Sequence, residues 1–116
     1  MNYSFLRYGA AILWTIIILI GCTIPGPKIE PVVTLNDKFM HIAIFVGFAV
    51  LWVLAGRRPV WVLVAGLLYG ILIEVIQGVL PINRSADVDD AVADFIGTLL
   101  GVGLALGLQK IIKLKP

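Results

Sequence analysis

The chain has 116 residues, of which 60% are hydrophobic and 14% charged, and its mean hydropathy is +1.05. A soluble domain is nearer half apolar and about a quarter charged, so this composition predicts a protein whose surface faces lipid. The net charge of +2 is too small to indicate nucleic-acid binding, and a single cysteine excludes an internal disulfide and a zinc site with the usual ligand spacing.

Four apolar runs follow one another along the chain. Each is close to the roughly 20 residues that a helix needs to cross a bilayer. In lipid each run must satisfy its own backbone hydrogen bonds, which favours α-helices. We predict one all-α domain over residues 1–116, a small polytopic bundle of four transmembrane helices at about 6–24, 38–56, 60–80 and 90–112.

The first run also resembles a signal peptide, because Arg7 precedes an apolar stretch that ends in Leu19-Ile20-Gly21-Cys22, a sequence similar to a lipoprotein processing site. About 17 apolar residues precede Pro25, however, whereas the core of a signal peptide has roughly 7 to 15. We therefore interpret this run as the first transmembrane helix.

The charged residues are divided between the two ends of the predicted helices. All seven acidic residues lie at one end, and six of the nine basic residues lie at the other: Arg7, Arg57, Arg58, Lys110, Lys113 and Lys115. Positive charge is retained in cytoplasmic loops. We therefore predict a multi-pass protein of the cytoplasmic membrane, with both termini in the cytoplasm and segments 25–38 and 81–90 outside.

Glu74 lies within the third apolar run, where an ionisable side chain is costly unless it has a partner. Gln77 shares its helix face, and Gly70, one turn earlier, leaves room for a neighbouring helix. Two interpretations follow. The pair is either a hydrogen-bonded contact that holds helices together or part of a functional site.

His41 lies in the first turn of the second helix, four residues after Asp37. If both belong to the helix they share a face, and the carboxylate could orient the imidazole as in a general acid–base pair. The alternative is that Asp37 and Lys38 are ordinary interfacial charges and His41 is a boundary residue.

The segment that leads into the fourth helix is acidic. Asp87 or Ser85 can cap this helix, and acids in its first turn favour the helix dipole. Capping does not account for Asp94, which lies one turn beyond Asp90 on the same face. Arg84 is the basic residue near this group, and a buried carboxylate needs such a partner.

Small residues repeat every four positions along the fourth helix, at Ala93, Gly97, Gly101 and Ala105. A stripe of this kind lets a second helix approach closely. The neighbour is either another helix of this chain or a second copy, so a homo-oligomer through the stripe is one expectation.

Taken together, these motifs resemble the VanZ-like family. The matching elements are Asp37-Lys38-x-x-His41, Glu74-x-x-Gln77, Arg84-Ser85, Asp90 and Gly97-x-x-x-Gly101. The family pattern has an asparagine at Asp94, and an aromatic residue and a serine at Ala86 and Asp87. The resemblance implies a small bacterial integral membrane protein. The members that gave the family its name are linked to teicoplanin resistance, and no specific reaction is implied.

We expect a polar pocket, open to the outer leaflet, that binds a membrane lipid or a lipid-linked envelope precursor. Its ligand-binding candidates are Lys38, His41, Glu74, Gln77, Arg84, Asp90 and Asp94. The main alternative is a membrane enzyme acting on a lipid-linked substrate, with catalytic candidates His41, Asp37 and Glu74. A proton or ion carrier that uses Glu74 is a third.

The sequence offers no convincing nucleophile, so a protein without catalysis is favoured. Neither a resident cofactor nor a nucleic-acid partner is expected, although the carboxylates could hold a divalent cation such as Mg²⁺ or Ca²⁺.

Overall fold

The computed structural model describes residues 4–24, 35–80 and 87–112, without the side chains of residues 35–37 and 112. Over these residues the chain forms four α-helices and no strand: α1 Ser4–Thr23, α2 Leu35–Leu54, α3 Pro59–Val79 and α4 Val88–Ile112. The predicted all-α bundle is confirmed. Each helix begins one to three residues before the range expected from the sequence.

The helices have the length and composition of membrane spans. α1, α3 and Val88–Ile111 of α4 are each long and apolar enough to cross a bilayer, and α2 contributes a shorter apolar stretch, Lys38–Leu54. At about 1.5 Å per residue, 20 helical residues extend roughly 30 Å, which is the thickness of a hydrocarbon core. Large apolar side chains are exposed along α1, α3 and α4, as expected for surfaces in contact with lipid.

α2 packs against all three of the other helices and most extensively against α4. Its inner face buries Phe45, Phe48 and Val53. The rings of Phe45 and Phe48 contact the Tyr69 ring of α3, with centroid separations of 6.0 Å and 5.7 Å. This aromatic group joins α2 to α3 in the middle of the bundle.

The small-residue stripe of α4 packs against α2 of the same chain. Ala93, Gly97, Gly101 and Ala105 are all buried. A Cβ atom on Gly97 would overlap the carbonyl oxygen of Ile42, and one on Gly101 would crowd that of Val46. The stripe is thus occupied by α2 of the same chain, which is one of the two neighbours expected from the sequence.

The turn between α2 and α3 places two arginines at one end of the bundle. Gly56 adopts a φ of 113°, and the Arg57 N–H donates to the Trp52 carbonyl at 3.1 Å, which closes α2 in the way a glycine after a helix usually does. Pro59 then begins α3, where its missing N–H costs nothing.

The other helix ends at this side lie close to the same turn. The Tyr8 ring of α1 packs edge-on against Trp52 at 6.3 Å, and Gln109 of α4 donates to the Val53 carbonyl at 3.3 Å. Among the described residues, the basic ones at this end of the bundle are Arg7, Arg57, Arg58 and Lys110.

Candidate functional site

The opposite end of the bundle contains a polar group, called the acidic cluster here. It consists of Lys38 and His41 from α2, Glu74 from α3, Asp87 immediately before α4, and Asp90 and Asp94 within α4. His41, Glu74, Asp90 and Asp94 are each more than nine-tenths buried. Five of the seven ligand-binding candidates therefore come together, along with Asp87.

Asp94 is fully buried and pairs with His41. Its Oδ1 lies 2.7 Å from His41 Nδ1, and Asp90 Oδ2 lies 3.7 Å from His41 Nε2. Asp90 and Asp94 are one helical turn apart, so they face the imidazole from two levels of α4. The sequence pointed to Asp37 as the partner of His41, but the Asp37 side chain lies outside the described residues.

Lys38 bridges two carboxylates. Its Nζ donates to Asp87 Oδ2 at 2.9 Å and also to Asp90 Oδ1. Hydrogen bonding to the Lys38 ammonium holds the pKa of the Asp87 carboxyl below its usual range. Lys38, one of the ligand-binding candidates, is thus engaged by two carboxylates of its own chain.

Glu74 reaches the beginning of α4. Its Oε2 accepts a hydrogen bond from the Asp87 backbone N–H at 2.7 Å. Asp87 Oδ1 in turn accepts from the Asp89 N–H at 2.9 Å, so Asp87 is the N-cap of α4 and one of the two predicted caps. Sequence reasoning treated Asp87 as a cap alone. One feature of the sequence indicates that Asp87 also belongs to the acidic cluster: it precedes Asp90 by three residues.

Two buried oxygens of the acidic cluster have no hydrogen-bond partner among the described residues. They are Glu74 Oε1 and Asp94 Oδ2. A Cβ atom on Gly70 would lie 3.2 Å from Asp94 Oδ2, so this oxygen lies beside α3, one turn from Glu74. Buried acceptors in proteins are nearly always paired. These two atoms therefore mark the place where the described cluster requires a donor.

Gln77 joins α3 to α1. Its Nε2 donates to the Cys22 carbonyl at 2.9 Å, near the end of α1. Carbonyls in the last turn of a helix lack an intrahelical partner, so this bond satisfies one of them. A contact that holds helices together was one of the two interpretations of Glu74 and Gln77. Gln77 makes such a contact, with α1.

Metal binding finds no geometric support in the part of the chain that the structure describes, where no group of three or more His, Cys, Asp and Glu side chains is arranged to hold an ion. Arg84 belongs to segment 81–86, which lies outside the described residues, as does Ser85.

Four apolar helices around a buried polar cluster define a small helical-bundle membrane protein. A family model described as VanZ/LLP1 matches residues 5–112, nearly the whole chain. The chain therefore belongs to the VanZ/LLP1 family, and the resemblance drawn from its motifs is confirmed. Comparisons with curated proteins and with solved structures gave no match.

Proposed function

We propose that the acidic cluster binds a hydrogen-bond donor, an ammonium or hydroxyl group, carried by a lipid headgroup or a lipid-linked envelope precursor at the outer leaflet of the cytoplasmic membrane. One observation carries the proposal. Lys38 and His41 are already bonded to carboxylates, whereas Glu74 Oε1 and Asp94 Oδ2 have no donor among the described residues. A carboxylate oxygen accepts hydrogen bonds only, so these atoms favour a donor over a phosphate.

The charge balance favours a donor that is also a cation. The cluster has four carboxylates, Glu74, Asp87, Asp90 and Asp94, against one ammonium and one imidazole. A buried charge needs a compensating partner, and hydrogen bonds between ionised groups are the stronger ones. The primary ammonium of phosphatidylethanolamine and the amino groups of envelope precursors have this chemistry.

Headgroup binding provides the test. The purified protein is titrated with short-chain phosphatidylethanolamine, whose ammonium has N–H donors, and with phosphatidylcholine, whose ammonium has none. We expect the first lipid to raise the melting temperature more, because a ligand that binds the folded state stabilises it. Glu74→Gln and Asp94→Asn should abolish this difference. Asp89→Asn should keep it, since Asp89 is an exposed acid in the first turn of α4.

Two results would reject a donor-binding site: equal responses of the wild type to the two lipids, or an unchanged preference in Glu74→Gln. The competing donor is the guanidinium of Arg84 in the same chain. Two results together would favour Arg84: the Arg84→Ala protein does not fold in the absence of lipid, and the wild type responds to neither headgroup. In that case the Arg84 guanidinium is the donor to Glu74 Oε1 and Asp94 Oδ2, and the cluster has a structural role.

Family membership extends the proposal to resistance. Because the name-giving members are linked to teicoplanin resistance, we propose that an occupied site changes the access of the antibiotic to envelope precursors. Cells that express the wild-type protein should be less susceptible to teicoplanin than cells with equal membrane levels of Glu74→Gln. Equal susceptibility would separate headgroup binding from resistance.

The buried His41–Asp94 pair favours a second candidate, a membrane enzyme acting on a lipid-linked substrate. A carboxylate at 2.7 Å from Nδ1 orients the imidazole and leaves Nε2 as the atom that could exchange a proton with a substrate. In this version Asp94 takes the orienting role that the sequence suggested for Asp37. Replacement of His41, described in the Discussion, separates the two candidates.

A further inference from the structure

A groove between α1, α2 and α3 lies toward the basic end of the bundle, away from the acidic cluster. Its volume is about 520 Å³, and its lining includes Phe48, Trp52, Arg57, Trp61, Ala65 and Leu68. Small-molecule sites in proteins range from about 300 to 1,000 Å³, so the groove is large enough for part of a lipid. Trp61 and Leu68 are 62% and 60% exposed, which shows that the groove opens toward the lipid-facing surface.

The polar atoms of the groove wall are bonded to one another. Trp52 Nε1 donates to Thr15 Oγ1 at 2.9 Å, and the Tyr69 hydroxyl donates to the Thr15 carbonyl at 2.6 Å. These bonds leave the wall apolar toward an occupant. An alkyl chain fits such a wall, because it has neither donors nor acceptors of hydrogen bonds.

Arg57 supplies the one charge in the lining. Its guanidinium lies over the Tyr8 ring, 5.7 Å from the centroid, and its side chain is exposed. A guanidinium within about 6 Å of a ring centroid is attracted by the ring face. That attraction uses none of its N–H groups, which can therefore donate to a phosphate. Among the described residues no carboxylate forms an ion pair with Arg57, since the described acids gather at the other end.

We propose that this groove binds one anionic phospholipid, with an acyl chain along the wall and its phosphate on Arg57. Arginine binds phosphate through paired N–H groups, and tryptophan and tyrosine favour the interfacial depth at which phosphates lie. Neighbouring Arg58 and Arg7 add positive potential that draws anionic lipids to this end. The site is separate from the acidic cluster and does not depend on the function proposed for it.

Lipid retention by the full chain tests the assignment. The detergent-purified protein is mixed with equal amounts of phosphatidylglycerol and phosphatidylcholine and examined by native mass spectrometry. We expect one phosphatidylglycerol to be retained in preference. Arg57→Gln should weaken this retention on the order of tenfold, the loss expected for a charged hydrogen-bonding partner. Arg58→Gln removes the same charge from the next residue, which does not line the groove, and should change it little.

A second pair of variants tests the groove itself. Ala65→Trp places a large side chain in the groove, whereas Val64→Trp adds the same side chain at an exposed neighbouring position outside the lining. We expect only Ala65→Trp to displace the lipid. If Arg57→Gln does not fold, Arg57→Lys keeps the charge without the paired donors and should still weaken retention.

Several outcomes would overturn the proposal: equal retention of the two lipids by the wild type, equal losses in Arg57→Gln and Arg58→Gln, or full retention in Ala65→Trp. Phosphatidylglycerol also carries hydroxyl donors, so Glu74→Gln is the control for binding at the acidic cluster: retention that is lost in Glu74→Gln and kept in Arg57→Gln would place the lipid there and overturn the groove proposal. A failure of the acidic-cluster proposal can therefore be distinguished from a failure of this one.

Discussion

His41 Nδ1 lies 2.7 Å from Asp94 Oδ1, and this contact joins α2 to α4 across 53 positions of sequence. Asp94 has no exposed surface, so a carboxylate there without a partner would be strongly destabilising. One turn further along α4, Gly97 brings the helix against the α2 backbone at Ile42. The close approach of the two helices thus sets the geometry of the pair.

Substitution of His41 separates binding from catalysis. Proton transfer needs a group whose pKa is near the working pH, whereas binding needs only a hydrogen-bonding group of similar reach. We expect His41→Gln to keep partial activity in a teicoplanin-resistance or envelope-stress assay, and His41→Ala to lose more. If His41→Gln is as inactive as His41→Ala, with normal expression and fold, the enzyme candidate replaces the binding one.

Gln77 is expected to act in stability rather than in ligand binding. Gln77→Leu removes the hydrogen bond to the Cys22 carbonyl while keeping a side chain of similar size, and should lower the free energy of unfolding by about 1 kcal/mol. The preference for phosphatidylethanolamine should persist, in contrast to Glu74→Gln. Loss of that preference in a folded Gln77→Leu protein would make Gln77 part of the binding site.

The packing of α4 on α2 can be tested with two glycines of the same helix. A Cβ atom at Gly97 would overlap the Ile42 backbone, so Gly97→Ala should lower the free energy of unfolding by about 1–3 kcal/mol. Gly103 has nothing within 4 Å of such an atom, and Gly103→Ala should raise stability by up to about 1 kcal/mol through helix propensity. Equal effects in denaturation of the purified variants would contradict this arrangement.

The Lys38–Asp87 ion pair predicts a pH-dependent effect of Asp87→Asn. Asparagine keeps the N-cap, so the variant removes the charge alone. Because the folded-state pKa of Asp87 is lowered, its contribution is present above the unfolded value of about 3.9 and is lost as the pH falls through the folded value. We expect the variant to melt below the wild type at pH 6, and the difference to shrink as the pH falls below the unfolded value. If the difference in melting temperature does not depend on pH, the charge of Asp87 is not its cause.

Membrane orientation is tested by cysteine labelling in intact cells. In a Cys22→Ala background, an impermeant maleimide should label Glu30→Cys and leave Arg58→Cys unlabelled until the membrane is opened. The reason is that arginine and lysine are retained on the cytoplasmic side. Labelling at position 58 but not at position 30 would reverse the orientation and place the acidic cluster at the inner leaflet.

The number and type of the helices and their approximate ends could be predicted from the amino-acid sequence alone. Gly56 and Pro59 bound the turn between α2 and α3, and Asp87 caps α4, because turns and caps depend on the local chain. The length of each apolar run follows from the thickness of the membrane in the same local way. The grouping of acids at one end also came from the sequence, because helices joined by short segments alternate in direction.

Which polar atoms meet could not be predicted from the sequence and depends on how the helices pack. Asp94 pairs with His41, the Cys22 carbonyl accepts from Gln77, and the stripe at Gly97 faces α2. Each of these depends on how far a helix is rotated about its own axis and on where it crosses its neighbour. Nearly uniform apolar helices carry little local information about that rotation, because lipid solvates every apolar face about as well as another helix does.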